Sequence, residues 1–312
     1  MNVAVLDRTT TDVSTPGNGR FYEYSKAANP IRPSLTPRIP YHFFAPSLYA
    51  GGETRIVPLD LSEALKCPSP ATGPGLCANF VRIIRGDALT LRPNATSMVF
   101  YVHRGHGQAR CGDVAFDWKA GDFFAIPGPT GLDLTAGDDA ALYAVNDAPL
   151  LTYLGATADH ARFRPTLFRA EDANRELAAA MNDPAAAERS RISVLLAADE
   201  FPLTRTVTHT LWAMYGIIGA HTEQKPHRHQ SIALDFIVDC APGCYTLVGP
   251  ELAADGTIAN ATRVDWESGC AFVTPPGYWH AHFNESGANA RLIPIQDAGL
   301  QTYLRTLDIR FT

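Results

Sequence analysis

The 312-residue sequence has no apolar run near the roughly 18 residues that a membrane-spanning helix needs. Its first residues, MNVAVLDRTTTDV, also lack a basic segment followed by a long apolar segment, which is the pattern of a secretory signal peptide. These two absences predict a cytoplasmic protein without a membrane partner.

A surplus of positive charge is missing as well. The chain has 26 Lys and Arg against 32 Asp and Glu, a formal net charge of −6, and both signs are dispersed along it. Because binding to nucleic acid requires a basic patch or stripe, this balance argues against a nucleic-acid partner.

Paired cysteines are also absent. None of the six cysteines belongs to a CxxC pair, which argues against a zinc ribbon or a thioredoxin-type motif; they lie at positions 67, 77, 111, 240, 244 and 270. A bridge between Cys67 and Cys77 is sterically conceivable, but a reducing compartment disfavours it. We therefore expect buried thiols.

Two series of short β-branched and apolar runs, separated by turn residues, predict two antiparallel all-β domains. We expect a Pro/Gly-rich arm over 1–75, a first domain over 76–160, a linker over 161–195 and a second domain over 196–312. Within the linker, alanines and acidic residues before Pro184 predict a helix from about Glu171 to Met181.

The two domains share a phrase that indicates an internal repeat. WKAGDFFAIPGPTGLDL in the first domain matches WESGCAFVTPPGYWHAH in the second, with Trp, Gly, an apolar strand and Pro-rich turn residues at equal offsets. The first phrase has Leu132 where the second has His280. The sequence thus predicts two related β-barrels, of which only the second keeps this imidazole.

Histidines of the second domain form a pattern suited to a metal. Since alternate residues of a strand share a face, His227 and His229 point the same way, as do His280 and His282. Three imidazoles converging inside a barrel would bind a divalent transition metal and leave other coordination positions open. We predict His227, His229 and His280 as metal ligands.

The segment from Gly269 to Asn284 fits G-x5-P-x-G-x2-H-x3-N at every fixed position, and it thereby resembles the second motif of the cupin superfamily. This resemblance implies a bicupin, in which each barrel is a double-stranded β-helix, or jelly roll. The first cupin motif normally supplies a Glu ligand where this chain has Ala233 and Leu234. Asp235 follows, roughly 20 Å from His229 in an extended strand, and its role as fourth ligand or substrate contact stays open.

The corresponding part of the first barrel is LRPNATSMVFYVHRGHG, in which Asn94 and Thr96 stand near the expected place of the HxH pair. His103 and His106 come after the strand, beside a glycine turn, and are expected to be solvated loop residues. We therefore expect the first barrel to be metal-free.

The stretch LWAMYGIIGAHTEQKPHRHQSIALDFIVD, with PPGYWHAH and the tail IPIQDAGLQTYLRTLDIRF, resembles gentisate 1,2-dioxygenase and its relatives that act on salicylate and 1-hydroxy-2-naphthoate. The resemblance implies a ring-cleaving dioxygenase of aromatic compound catabolism that uses O2 and Fe(II). It also implies a homo-oligomer, either a dimer or a tetramer. It makes His282 a catalytic group and places Trp212 and Trp279 at the substrate.

Two departures concern the substrate pocket. Asp235 stands where these relatives have an Arg that contacts the substrate carboxylate, and Gly216 stands where they have a Gln; the relatives also hold the metal in the first barrel. A reversed charge should repel a carboxylate at that position. The substrate is therefore expected to be a substituted monocyclic phenol other than plain gentisate, with an amino, hydroxyl or nitro group.

Two other functions fit the same residues. One is a metal-dependent isomerase, lyase or hydrolase that uses Mn, Ni or Zn, because a fold does not fix its chemistry. The other is a non-catalytic bicupin that binds a small molecule.

Overall fold

The computed structural model describes residues 19–186, 189 and 191–312. Strands predominate, as the all-β prediction requires. They are β1 His42–Phe44, β2 Arg55–Pro58, β3 Cys77–Ile83, β4 Ala88–Leu91, β5 Ser97–Arg104, β6 His106–Cys111, β7 Val114–Lys119, β8 Phe123–Pro127, β9 Leu132–Ala136, β10 Ala140–Asn146, β11 Thr166–Phe168, β12 Ile192–Leu196, β13 Trp212–Ile218, β14 Thr222–His229, β15 Ala233–Asp239, β16 Cys244–Gly249, β17 Glu251–Leu252, β18 Ile258–Ala259, β19 Thr262–Asp265, β20 Ala271–Thr274, β21 Trp279–Asn284, β22 Ala290–Gln296 and β23 Ile309–Phe311.

The helices are few and short. They are α1 Tyr24–Ala27, α2 Ser62–Leu65, α3 Ala148–Leu154, α4 Ala170–Asn182 and α5 Ala298–Leu304, with 3-10 turns at Pro46–Leu48 and Gly128–Thr130. Helix α4 confirms the helix predicted from Glu171 to Met181. None of the helices in the described ranges is both long and apolar enough to cross a bilayer.

The chain divides into two compact units, residues 1–38 and 39–312. In the described part of the first unit, α1 is capped by Glu23, whose carboxylate accepts hydrogen bonds from the backbone N–H groups of Ser25 and Lys26. A bridge joins Ile31 and Thr36. The portion of the predicted arm that falls in residues 1–18 lies outside the described residues.

Within the second unit, each barrel consists of two facing antiparallel sheets. The first barrel has a six-stranded sheet of order β11-β8-β5-β10-β3-β2 and a four-stranded sheet of order β4-β9-β6-β7. The second barrel has sheets of order β1-β20-β15-β22-β13-β12 and β19-β16-β21-β14-β23. This is the predicted bicupin architecture, with β17 and β18 as an extra hairpin.

The two barrels repeat the same construction in detail. Gly121 and Gly269 both have a left-handed φ, +90° and +84°, after the shared tryptophan. Each donates its backbone N–H to the strand that it faces, Gly121 to the carbonyl oxygen of Val102 and Gly269 to that of Ile237, at 2.8 and 2.7 Å. A side chain at a left-handed φ is disfavoured, so glycine suits both turns.

Strand periodicity sorts the apolar side chains into three cores. In β15, Leu234 and Phe236 belong to the core between the two six-stranded sheets, where Phe236 stacks on Tyr143 of β10 at 4.8 Å. Ile237 points the other way, into the second barrel. Phe100 of β5 likewise points into the first barrel, whose interior is apolar. Opposite faces of one strand thus pack the barrels together and fill them.

All six cysteines are free thiols, so the conceivable bridge between Cys67 and Cys77 is not formed. Burial raises the pKa of the Cys77 thiol to about 12, and that of Cys270 to about 12. Both thiols are therefore neutral and pack as small apolar groups.

Candidate metal centre

The candidate metal centre lies where β14 pairs with β21. In this antiparallel pair His227 is opposite His280 and Gln224 is opposite His282. Between these two positions β14 has two residues, Lys225 and Pro226, where β21 has one, which is the geometry of a β-bulge. The bulge lets both Gln224 and His227 face the barrel interior although they are three residues apart.

Three buried imidazoles meet at this place. His227, His229 and His280 are each at most 3% exposed, and one possible ligand atom from each lies within 4.8 Å of the others. The ring centroids are 4.0 Å apart for His227 and His280 and 4.9 Å apart for His229 and His280. The barrel thus brings the three predicted ligands together around one point.

Hydrogen bonds fix the orientation of these rings. The Nδ1 atoms of His227, His229 and His280 lie 3.4, 2.8 and 3.1 Å from backbone carbonyl oxygens two residues away in sequence. A carbonyl oxygen only accepts, so each Nδ1 carries the proton and each Nε2 keeps a free lone pair.

The remaining nitrogens suit a metal ion. The buried Nε2 atoms of His227 and His229 have no hydrogen-bond partner among the described residues. Leaving two buried acceptors unpaired costs free energy that a metal ion would recover. The donor set of three neutral imidazoles fits Fe, Zn, Cu or Ni.

Burial also sets the protonation of the site. Desolvation lowers the pKa of His229 to about 4, and it holds the pKa of His227 and of His280 well below the usual range of histidine. The three imidazoles are therefore neutral at pH 7, which is the form that binds a metal.

His282 lies on the same face of β21 as His280, with a ring-centroid distance of 5.9 Å between the two. Its Nδ1 shares a 2.8 Å hydrogen bond with Thr246 Oγ1, which also accepts one from Trp266 Nε1 at 2.8 Å. Desolvation again holds the pKa of His282 well below its usual range. The ring is thus neutral and fixed through Nδ1, and Nε2 remains as its second polar atom.

Asp235 is buried inside the same barrel and is not one of the clustered ligands. Its Oδ2 accepts a 2.7 Å hydrogen bond from Thr274 Oγ1. Burial raises the pKa of Asp235 to about 6, while Thr274 and the Arg191 guanidinium oppose that shift. At pH 7 the carboxyl group is mostly ionised, so it places a negative charge inside the barrel.

A cavity of about 350 Å³ opens onto the histidines. Its wall includes two basic residues, two aromatic side chains and the imidazoles of His227 and His229; the lining residues are Arg189, Arg191, Trp212, Met214, His227, His229, Gln296, Ile309 and Phe311. The C-terminal strand β23 closes one side, where Phe311 stacks on His227 at 5.9 Å. The cavity is large enough for a small ligand beside the metal position.

Arg191 lines the cavity but was not predicted from the sequence. It lies just before β12, within the segment assigned to the linker, so nothing marked it as part of a site. Its buried Nε has no hydrogen-bond partner in the described structure, although the residue as a whole is partly exposed. Burial lowers the pKa of the guanidinium and Asp235 raises it, and the group stays charged at pH 7.

Three other basic residues of the second barrel do not line this cavity. Arg228 lies over the ring of Trp279 at 5.4 Å, and Arg291 pairs with Asp239 through its Nε at 3.0 Å. Lys225 is exposed on the outer face of the bulge. Arg191, in contrast to these three residues, lines the cavity.

The predicted pocket residues fall into different places. Trp212 lines the cavity. Gly216 follows on the same strand outside the cavity wall, where an added Cβ would lie 2.7 Å from Ser193 Oγ. Trp279 does not line the cavity, which corrects the prediction, because neighbouring strand residues point to opposite faces and only His280 points inward. The glycine thus makes room for a neighbouring strand, and Trp279 packs against Arg228.

The first barrel has no counterpart of this histidine cluster among its described residues. Leu91 pairs with Leu132 as His227 pairs with His280, so the HxH pair corresponds to Leu91 and, by count, Pro93. The alignment with Asn94 and Thr96 is therefore wrong by three residues.

The two histidines near this region also differ from each other. His106 is exposed, as expected for a solvated residue. His103 is not solvated: it lies on β5, where its ring contacts Phe236 at 5.4 Å and Tyr49 at 6.3 Å. Its desolvation lowers its pKa, so it is a neutral packing residue between the barrels.

No family model and no curated protein matches the sequence. Solved structures do match. The salicylate 1,2-dioxygenase of Pseudaminobacter salicylatoxidans superposes with a TM-score of 0.72 and 14% identity, over 93% of each chain. A structure of this enzyme with gentisate has a TM-score of 0.70 and 15% identity, over 88% of this chain and 86% of the other. The resemblance seen in the sequence is thus confirmed at the level of the bicupin fold.

Proposed function

We propose that the protein is an Fe(II)-dependent dioxygenase that cleaves the ring of a substituted monocyclic phenol with O2. The observation that carries the proposal is the arrangement of three neutral imidazoles, with two unpaired buried Nε2 atoms, beside a cavity lined by an arginine whose Nε is buried and unpaired. The fold shared with a salicylate 1,2-dioxygenase supports it.

The residues of the metal centre and its cavity have separate roles in this proposal. His227, His229 and His280 would hold the iron, which when bound supplies open positions for two adjacent substrate oxygens and for O2. Thr246 fixes His282 through Nδ1, so the Nε2 atom of His282 is left to exchange a proton with the phenolic oxygen of the substrate. Trp212 and Phe311 flank the cavity as apolar walls for an aromatic ring.

Charge selects the substrate. Arg191 offers a cation with a buried, unpaired Nε to a carboxylate or phenolate, because a charge-assisted hydrogen bond is stronger than a neutral one. Asp235 adds a negative charge inside the same barrel, outside the cavity wall, which favours a hydrogen-bond donor on the ring. We infer a salicylate-like or aminophenol-like substrate that carries an amino or hydroxyl group.

Metal analysis followed by O2-uptake assays tests the proposal. We expect about one iron per chain after reconstitution with Fe(II), and uptake with salicylates, aminophenols or hydroxyquinols. Tightly held zinc or manganese, with no uptake for any of these compounds, would instead favour the isomerase, lyase or hydrolase. Ligand affinity at the histidine cavity that survives removal of the metal, with no O2 uptake, would favour a non-catalytic binding protein.

Substituting Asp235→Asn should shift substrate preference toward carboxylates. The amide keeps an acceptor for Thr274 Oγ1 and removes the negative charge. Asp235 does not line the cavity, so its charge acts on a bound carboxylate over a longer range. At roughly 12 Å and an effective dielectric constant of about 20, a like charge is worth about 1.4 kcal/mol, so we expect the KM for gentisate to fall about tenfold relative to that for 2-aminophenol. Steady-state O2 uptake measures both constants.

The control is Asp265→Asn, which removes a carboxylate paired with Arg263 on the surface. It should leave the ratio of the two KM values unchanged. An unchanged ratio in Asp235→Asn as well would show that the Asp235 charge does not act on the substrate.

A further inference from the structure

We propose that the first barrel contains a second, metal-independent binding site, which takes a small neutral aromatic molecule of phenol-like chemistry. This site is a cavity of about 450 Å³, larger than the cavity at the histidines. Its position, wall and charge each support the proposal.

The cavity occupies the repeat counterpart of the metal cavity. Asn146 pairs with Cys77 in the first barrel as Gln296 pairs with Trp212 in the second, and all four residues line their respective cavities. Leu91, the register counterpart of His227, also lines it. The duplicated barrel has therefore lost its metal ligands and kept an open pocket.

The wall of this cavity is held by regular structure. Leu91, Met98, Phe100 and Val145 lie on β4, β5 and β10, and their backbones are fixed in the two sheets of the barrel. Exposed residues at its mouth, among them Ser69 and Thr152, leave the cavity open to solvent, so a ligand is able to enter. A rigid apolar cavity in the size range of known ligand sites is thus ready to accept an apolar molecule.

Charge excludes an anion from the site. Phe100 occupies the position in β5 that Asp235 occupies in β15. Among the described residues that line the cavity Arg92 alone is charged, and its guanidinium is paired with Asp133 at 2.9 Å and donates to the Leu132 carbonyl oxygen at 2.9 Å. No free cation therefore remains to compensate a carboxylate, whose desolvation is costly.

The polar and aromatic groups define the ligand further. The side-chain amides of Asn79 and Asn146 line the cavity. Asn79 Nδ2 already donates to the Cys77 carbonyl oxygen, and Asn146 Oδ1 accepts from the Ala148 N–H. The NH2 group of Asn146 is therefore the donor that is able to bond one hydroxyl group. Phe100 and Met98 present an aromatic face and a thioether, both of which interact favourably with aromatic rings. A monocyclic phenol combines these features and fits the volume.

Calorimetric titration of the metal-loaded protein with 4-bromophenol tests the proposal at pH 7, where the phenol is neutral. We expect a binding site that Ala144→Leu, which fills the cavity, weakens at least about tenfold. The matched variant Met214→Phe narrows the metal cavity instead and should leave this site unchanged. The anion 4-bromobenzoate should not compete for it.

A second measurement covers the case in which Ala144→Leu fails to fold. Anomalous scattering from bromine locates the phenol in crystals soaked with it, and Thr152→Phe obstructs the cavity from the exposed face of α3. Bromine in the first barrel, lost in Thr152→Phe, supports the proposal. Bromine at the histidines alone, equal binding of the benzoate or no binding at millimolar phenol would overturn it.

Discussion

Replacing His280 with alanine is expected to abolish both metal binding and oxygen uptake. His280 supplies one of the three imidazoles that cluster in the described part of the chain, and it lies opposite His227 across the β14–β21 pair. Loss of a group that merely orients a ligand costs 10–100-fold in metal affinity, so loss of a ligand should cost more than about 100-fold. Iron content per chain and O2 uptake by the reconstituted variant measure the effect.

Leu132→Ala is the matched control, because Leu132 occupies the position of His280 in the first barrel. It is fully buried, so its truncation should cost roughly 2–5 kcal/mol of unfolding free energy while the iron content stays unchanged. If the His280 variant is folded by circular dichroism and still holds a full complement of iron, the histidine cluster is not the metal site.

The centre could be predicted from the sequence because its geometry is mostly local. Strand alternation brings His227 beside His229 on one face. The turns before and after β20, the second of which leads to His280, need Gly269 and Gly277, whose φ values are +84° and +75°. A Cβ on Gly269 would also lie 2.4 Å from Tyr49 Oη. The glycines of the motif are therefore required by the backbone conformation and by the close contact with Tyr49.

Features that depend on pairing between distant segments could not be predicted from the sequence. The bulge at Lys225 and Pro226 follows from the register with β21, and no local signal announces it. The first barrel has no histidine at the two positions that correspond to His227 and His280. The sequence therefore does not indicate the register there, and Leu91 could not be recognised as the counterpart of His227. Likewise β1 joins the edge of β20 in the second barrel although it belongs to the Pro/Gly-rich arm by sequence.

Arg191 and Asp235 illustrate the same limit for electrostatics. Alternation indicates that Asp235 faces the barrel interior, but no sequence pattern shows that a guanidinium 44 positions earlier opposes the shift of its pKa. Arg191 reaches the cavity wall only because β12 pairs with β13, where Ile192 lies opposite Ile217. The substrate hypothesis changes accordingly, since a carboxylate now has a cation to bind.

Arg191→Gln is expected to raise the KM for a carboxylated substrate roughly 10–100-fold with a smaller change in kcat, because a hydrogen bond to a charged group contributes about 1.5–3 kcal/mol. The KM for a phenol without a carboxylate should change little. Arg189→Gln is the control within the same cavity; Arg189 is already paired with Asp183 at 2.6 Å, so its effect should be small.

The double variant Arg191→Gln/Asp235→Asn distinguishes the effect of Arg191 on substrate binding from its effect on the stability of the protein. The single Arg191 variant leaves the buried Asp235 carboxylate without its cation, which should raise the pKa of Asp235 further and lower the unfolding free energy at pH 7, where the carboxylate must ionise. Adding Asp235→Asn removes that charge and should restore stability in a urea titration, while the KM for the carboxylated substrate stays high. If the unfolding free energy and the KM for the carboxylated substrate both return to their original values, Arg191 acts only by neutralising Asp235, and the substrate carboxylate binds elsewhere.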